Sequence, residues 1–213
     1  MQDGKSILID AGPDLRYQAL RAGIKQIDIL LVTHEHKDHI GGLHEIRSAV
    51  LKQKQPIAVY GRDQVLEHIQ QEFHYLFTPV SHQREASFEL HTIENRSFEA
   101  LGIAVTPIQV YHNKLSIWGF RIGELTYVTD AKMIPGEEVA KMRGTRVLVV
   151  NALRQEPHPA HYNLEEALAL AQKVDAEVTY LTHISHQMGL YAGVSEKLPG
   201  NVHLAYDGLQ LNL

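Results

Sequence analysis

Residues 30 to 43 read LLVTHEHKDHIGGL, an aliphatic run that ends on His34, His36, Asp38 and His39 within six positions. Neutral imidazoles joined by a carboxylate suit zinc, manganese or iron, and the anionic ligand offsets part of the cation's charge. In extended backbone His34 and His36 project to the same side. Asp38 and His39 then open a helical turn and can face a neighbouring point, so that two adjacent metals would fit. Gly41 and Gly42, just beyond, permit close approach of backbone. His68, His74, His82, His91 and His203 have no such spacing and read as ordinary surface or half-buried histidines.

The elements needed to hold this cluster can be read on either side of it. Ile7 to Asp10 and Ile27 to Thr33 are continuous apolar runs, the pattern of strands covered on both faces, with the helical stretch PDLRYQALRAG between them. Pro13 suits a first helical turn and Gly23 a helix stop. The spacing predicts a second helix from about Asp38 to Leu51, with Asp38 available as its cap, and a strand at 57 to 60. The ligand cluster thus falls at the C-terminal end of a strand, where open α/β sheets commonly bind ligands. In the middle of the chain FELHTIE, GIAVTPIQVYH and SIWGFRIGELTYVTD are successive strands, expected to be antiparallel, with a hairpin at Gly123 and Glu124. A strand in TRVLVVNA, a helix in NLEEALALAQKV opened by Asn163 and Glu166, and a strand in AEVTYLTH return to β-α-β order.

With 213 residues, 44% of them hydrophobic, the chain can bury one substantial core, and residues 1–213 are expected to form a single domain of mixed sheets with helices outside. A net charge of −5 argues against attachment to nucleic acid through an overall basic field. Zero cysteines exclude disulfides, thiolate metal sites and a cysteine nucleophile, but identify no compartment. No basic leader with a long apolar stretch is seen, and no apolar run reaches about 18 residues. The default expectation is a soluble cytoplasmic protein. A strand so close to Met1 also suggests that the chain starts mid-fold.

The stretch THEHKDHIGG resembles the signature of the metallo-β-lactamase superfamily of metal-dependent hydrolases. The resemblance implies an αββα sandwich of two mixed sheets with flanking helices, here apparently lacking the N-terminal strands. It also implies further ligands at later strand ends. His112 after VTPIQVYH, Asp130 at the end of ELTYVTD and His183 at the end of AEVTYLTH supply them in the expected order. On the family pattern Asp130 bridges two divalent metals (zinc, manganese or iron). His34, His36 and His112 hold one, and Asp38, His39 and His183 the other. Asp10 matches the superfamily's first motif and would orient a ligand histidine from behind.

The segments YHNKLSIWGFRI, PHPAHYNLEEAL and LTHISHQ are similar to the branch containing the phosphoribosyl cyclic phosphodiesterase of the carbon-phosphorus lyase pathway. There His161 falls where the branch has an active-site histidine not bound to metal, and His158 lies in the same proline-flanked loop. The branch's Gly-rich first strand and cysteine cluster are missing, so His186 is expected to lack the structural zinc it would otherwise share, and a sheet edge to be exposed that a homodimer would cover.

The function implied is hydrolysis of a small phosphodiester, a cyclic phosphate or nucleotide-like ester. A hydroxide activated by two metals would attack, with His161 donating a proton to the leaving oxygen or hydrogen-bonding the phosphoryl group. The expected partner is a small phosphoester, with neither membrane nor nucleic acid. The alternatives are a tRNA- or DNA-processing nuclease of the same superfamily, for which no docking arm or basic surface is seen, and a non-catalytic metal-binding protein. A redox di-iron protein would usually have glutamate in place of His36 and an attached flavin module.

Overall fold

A computed structural model of the protein describes residues 4–46, 53, 55–77 and 88–213. The chain divides into two compact units, residues 1–103 and 104–213.

The first unit is built on a sheet of four strands, β1 (Ile7–Ile9), β2 (Ile29–Leu31), β3 (Ile57–Gly61) and β4 (Phe88–Thr92), neighbours in that order. β2 and β3 are apolar and buried throughout, as a strand covered on both faces must be. The expected two sheets with flanking helices are present; the seven-stranded sheet is mixed, whereas the described pairings of this four-stranded sheet are all parallel. β4 is therefore a correction to the antiparallel expectation for FELHTIE. A crossover containing helix α3 (Asp63–Glu72) separates it from β3, which is what parallel pairing needs.

Helix α1 (Leu15–Ala22) joins β1 to β2 and ends as predicted at Gly23, whose φ of 66° lets its N–H reach the carbonyls of Ala19 and Leu20. Helix α2 (Lys37–Ile40) follows β2. It corrects the predicted cap: His36 occupies the cap position, though its side chain does not cap the helix, and Asp38 lies in the first turn, where a carboxylate complements the helix dipole. The chain is helical again over 43–46, and the rest of the predicted helix to Leu51 lies outside the described residues, as does His82. Helix α3 was not anticipated. Its Val65, Leu66 and Ile69 turn one face into a core with Leu30, Val59 and Ile57.

The second sheet has seven strands, β5 (Phe98–Ala100), β6 (Ile103–His112), β7 (Leu115–Ile122), β8 (Leu125–Val128), β9 (Val147–Asn151), β10 (Val178–Thr182) and β11 (Val202–Leu204), in the order β11-β10-β9-β8-β7-β6-β5. β6, β7 and β8 run antiparallel, with the β7–β8 hairpin turning at Gly123 (φ 55°) as the sequence predicts. β8 to β11 are parallel. Of the helices α4 (Gly136–Met142), α5 (Leu164–Val174) and α6 (Tyr191–Ser195), only α5 was foreseen. Its Ala167, Leu170, Ala171 and Val174 recur at helical spacing and pack on a core that includes Val128, Leu148, Val150 and Leu181. Among the described residues no helix is long and apolar enough to cross a membrane.

The start of α5 fixes where the preceding loop, with His158 and His161, can run. Asn163 Oδ1 accepts the Glu166 N–H at 2.9 Å while Glu166 Oε2 accepts the Asn163 N–H at 3.0 Å, a reciprocal capping box. Asn163 Nδ2 also donates to the Gln155 carbonyl. Asn163→Ala is expected to lower stability by about 1–2 kcal/mol, seen as a lower urea midpoint at unchanged slope.

Candidate metal centre

In the first unit the ligand cluster grows from the ends of β1 and β2. Asp10 follows β1 at a φ of 59° and turns its buried carboxylate toward β2. There Oδ1 accepts the Thr33 N–H at 2.8 Å, and Oδ2 accepts the Thr33 hydroxyl at 2.7 Å and His39 Nδ1 at 2.7 Å. Burial pushes the Asp10 carboxyl above its usual range, and the contacts to His39 and Thr33 pull it back. A Thr33 hydroxyl that donates to Asp10 can only accept from its other neighbour, His34 Nδ1, 2.9 Å away. The network therefore places the proton of both His34 and His39 on Nδ1 and leaves the lone pair on Nε2, the arrangement of a metal-ligating histidine with an outer hydrogen-bond partner.

The rings of His36 and His39 lie 4.5 and 4.2 Å from that of His34, and Asp38 Oδ2 lies 3.3 Å from His39 Nε2. The loop of residues 10–12 packs so tightly on this turn that only glycine fits. Ala11 N–H donates to the His39 carbonyl at 2.6 Å, Gly42 N–H to the Ala11 carbonyl at 2.7 Å, and a Cβ on Gly42 would meet the Gly12 carbonyl oxygen.

In the second unit Asp130 (φ 54°) follows β8 and His183 (φ 54°) follows β10, both in the left-handed region that costs non-glycine residues about 1–3 kcal/mol. Asp130 is buried. Thr129 Oγ1 donates to its Oδ2 at 2.6 Å, while Oδ1 faces His183 Nε2 at 3.3 Å and His161 Nδ1 at 3.4 Å. His112, at the end of β6, directs Nδ1 at the carbonyls of Asp130 (3.0 Å) and Ala160 (2.9 Å), so Nδ1 carries the proton and Nε2 the lone pair. One donor atom from each of His112, Asp130 and His161 lies within 4.8 Å of the others. The His161 Nδ1 is buried without a hydrogen-bond partner. Burial pushes the His161 imidazole down to about 4, against the opposing pull of the Asp130 carboxylate, with His183, His112 and His158 adding to the fall. Buried carboxylate and imidazole donors of this kind fit a divalent cation.

Asp10, His34, His36, Asp38 and His39 are thus brought together in one unit, and His112, Asp130, His161 and His183 in the other. His158 extends the second group, its ring 5.0 Å from that of His161. His186 lies apart, exposed in a single 3₁₀ turn. His68 pairs with Glu72, and His91 stacks on Tyr60. Sequence reading missed three supports: Thr33, Thr129, and Asn151, which binds the backbone N–H and carbonyl of Ala131 at 2.8 and 3.1 Å. Thr33 and Thr129 are polar residues at the end of an apolar strand directly before a candidate ligand, a position that hints at such a role, whereas Asn151 is marked only by its distant partner Ala131.

Residues 5–184 match the family described as the beta-lactamase superfamily domain. The chain belongs to this superfamily. A crystal structure described as a new diphosphatase from the PhnP family is similar over 100% of this chain and 82% of its own, at 35% identity and a TM-score of 0.91. That likeness agrees with the branch to which the later motifs pointed. Among curated relatives, an octanoyltransferase of Porphyromonas gingivalis is 36% identical over 209 residues, 97% of this chain, although the chain spans only 42% of that protein. A ribonuclease Z of Ligilactobacillus salivarius is 32% identical over 147 residues, 64% of this chain and 42% of its own length. In the superfamily's terms, the signature histidines of this member are braced by Thr33 as well as by the expected aspartate. Thr33→Val keeps the shape and removes the hydroxyl. Metal affinity measured by competition with a chromophoric chelator should fall roughly 10- to 100-fold, and Thr33→Ser should restore it.

Proposed function

We propose that the two clusters complete one dinuclear metal centre, with residues 1–213 acting as a single domain, and that the protein is a metal-dependent hydrolase of a small phosphodiester. The observation that carries this reading is the shared Asp130 carboxylate: Oδ1 faces both His183 and His161, and His112 stands beside it with its lone pair on Nε2. A carboxylate with a candidate ligand of each expected set beside it, His183 and His112, is suited to joining two cations. On the superfamily pattern His34, His36 and His112 would hold one, Asp38, His39 and His183 the other, with Asp130 available to both.

A bound pair of zinc, manganese or iron ions supplies an activated water and neutralises charge developing on the phosphoryl oxygens. The chain's own residues do the rest. Asp10 and Thr33 fix the ligand imidazoles so that little reorganisation accompanies the reaction. His161 stays outside the ligand set and either hydrogen-bonds the phosphoryl group or hands a proton to the leaving oxygen. The 35% identity to a protein described as a diphosphatase supports a phosphate ester as substrate. The octanoyltransferase name is not carried over, because the chain corresponds to less than half of that protein. Cytoplasmic location and a small phosphoester partner belong to the same proposal.

A second reading, a nuclease acting on structured RNA, is favoured by the ribonuclease Z likeness. The test is a screen of cyclic and linear phosphodiesters and of a precursor tRNA, each with manganese, zinc or iron(II) supplied. Small diesters should be cleaved and the tRNA left intact. Asp130→Ala should abolish turnover together with the metal pair. His161→Ala should retain the metals and lower kcat by about 10²- to 10⁴-fold. Cleavage of the tRNA alone would favour the nuclease, and a metal-loaded enzyme that opens only thioesters or lactones would overturn the substrate class.

A further inference from the structure

Asp10 and Thr33 brace His39 and His34, whereas His36 and Asp38 lie on the exposed side of the same turn. Lys37 stands between those two, one peptide from each. Its ammonium makes an ion pair with Glu72 Oε1 and lies 5.9 Å from the centre of the Phe73 ring. Both partners sit at the C-terminal end of α3. The pair itself is open to solvent, but Phe73 is buried in the core of the first unit.

Neither charge is placed for the good of its own helix. Glu72 is the last residue of α3, where a carboxylate meets the negative end of the helix dipole, and the last turn of α3 contains no basic residue. Lys37 is the first residue of α2, where a cation is disfavoured too. Opposite signs would suit each helix better, so the pair makes sense only as a tie between the two. His68, one turn before Glu72, places Nε2 3.1 Å from Glu72 Oε2 and holds the carboxylate by its other oxygen. Lys37 keeps the Glu72 carboxyl below its usual range against the opposing effect of burial, and His68 adds to the fall.

The anchor is fixed relative to the strand that leads into the signature. Val65, Leu66 and Ile69 of α3 share a core with Leu30 and Val32, on β2 and just beyond it. Leu66 comes so close to the end of β3 that a Cβ on Gly61 would meet its Cδ2 at 3.1 Å. A tie from α3 to Lys37 therefore refers the signature turn back to the same core that holds β2.

We infer that Glu72 is a positioning residue of the metal centre: together with Phe73 it holds Lys37, and Lys37 fixes the two peptides that lead to His36 and Asp38. The inference rests on the metal-centre reading and adds an outer support on α3 to those of Asp10 and Thr33. On the superfamily pattern His36 and Asp38 would serve different ions, so one tie sets both sites.

Titration of the whole chain with cobalt(II), followed by its visible d–d absorption, reads affinity and ligand geometry together. Lys37→Gln is the deciding variant, because a field effect and a positioning effect have opposite signs there. Removing a positive charge beside a cation site would tighten cobalt binding through space, whereas losing the tie loosens it. Binding about fivefold weaker at both sites is expected, the size that an exposed ion pair allows, with an altered d–d band and a urea midpoint of the metal-free protein close to that of the wild type. Lys37→Arg should keep the wild-type affinity. Glu72→Gln should weaken binding by the same factor, and the double variant no more than either single one, because the two groups act as a unit. If Lys37→Gln does not fold, Glu72→Asp carries the same test: it keeps the charge, is too short to reach Lys37, and should weaken cobalt binding where a field effect would leave it unchanged. Tighter or unchanged binding in Lys37→Gln, or losses that add in the double variant, would overturn the inference while leaving the metal centre standing. A wild type that takes up no cobalt would overturn both.

Discussion

A buried carboxylate is costly unless hydrogen bonds replace the water it loses, and Asp10 is the place where the first unit meets that cost. Its two oxygens take three donors, the Thr33 N–H, the Thr33 hydroxyl and the His39 ring. Because those donors sit on either side of the ligand loop, satisfying Asp10 also orients the loop. His39 is held directly and His34 through Thr33, so one group sets the tautomers of two candidate ligands. The geometry of the signature loop follows from this contact, and the glycines at 12 and 42 exist because backbone must approach backbone to make it.

The second unit solves a similar problem with strained backbone. Asp130 and His183 both occupy the left-handed region within two residues of their strand ends, as Asp10 does in the first unit. The turn lifts each side chain off the strand end, and at Asp130 hydrogen bonds hold it there: Thr129 to the carboxylate, and Asn151 to both backbone groups of Ala131. Outliers that cost energy and are pinned by neighbours mark a site shaped for a ligand rather than for the stability of the sheet.

Much of this was legible in the sequence because it depends on local pattern. Continuous apolar runs gave β2, β3 and β9, the Gly23 stop and the Asn163–Glu166 box gave helix boundaries, and His112, Asp130 and His183 stood at strand ends where ligands were sought. What escaped was set by distant partners. β4 pairs parallel because of a crossover that its own residues do not reveal. Asp38 is a good cap residue by type, yet the helix starts one residue before it. Thr33 and Asn151 are unremarkable by type and acquire a role only through groups 20 or more residues away, Asp10 and Ala131. Helices α3 and α4 carried signals that went unread: Val65, Leu66 and Ile69 at helical spacing in the one, and Pro135 followed by Glu137 and Glu138 at the start of the other.

The central claim is that the histidine signature of the first unit and the Asp130 cluster of the second serve one pair of metals. Electron paramagnetic resonance of the protein titrated with manganese(II) tests it most directly. The account predicts uptake of two ions per chain with an exchange-coupled spectrum, and loss of the coupling in Asp130→Ala. A spectrum of isolated ions at every loading, or one unaltered by Asp130→Ala, would contradict it.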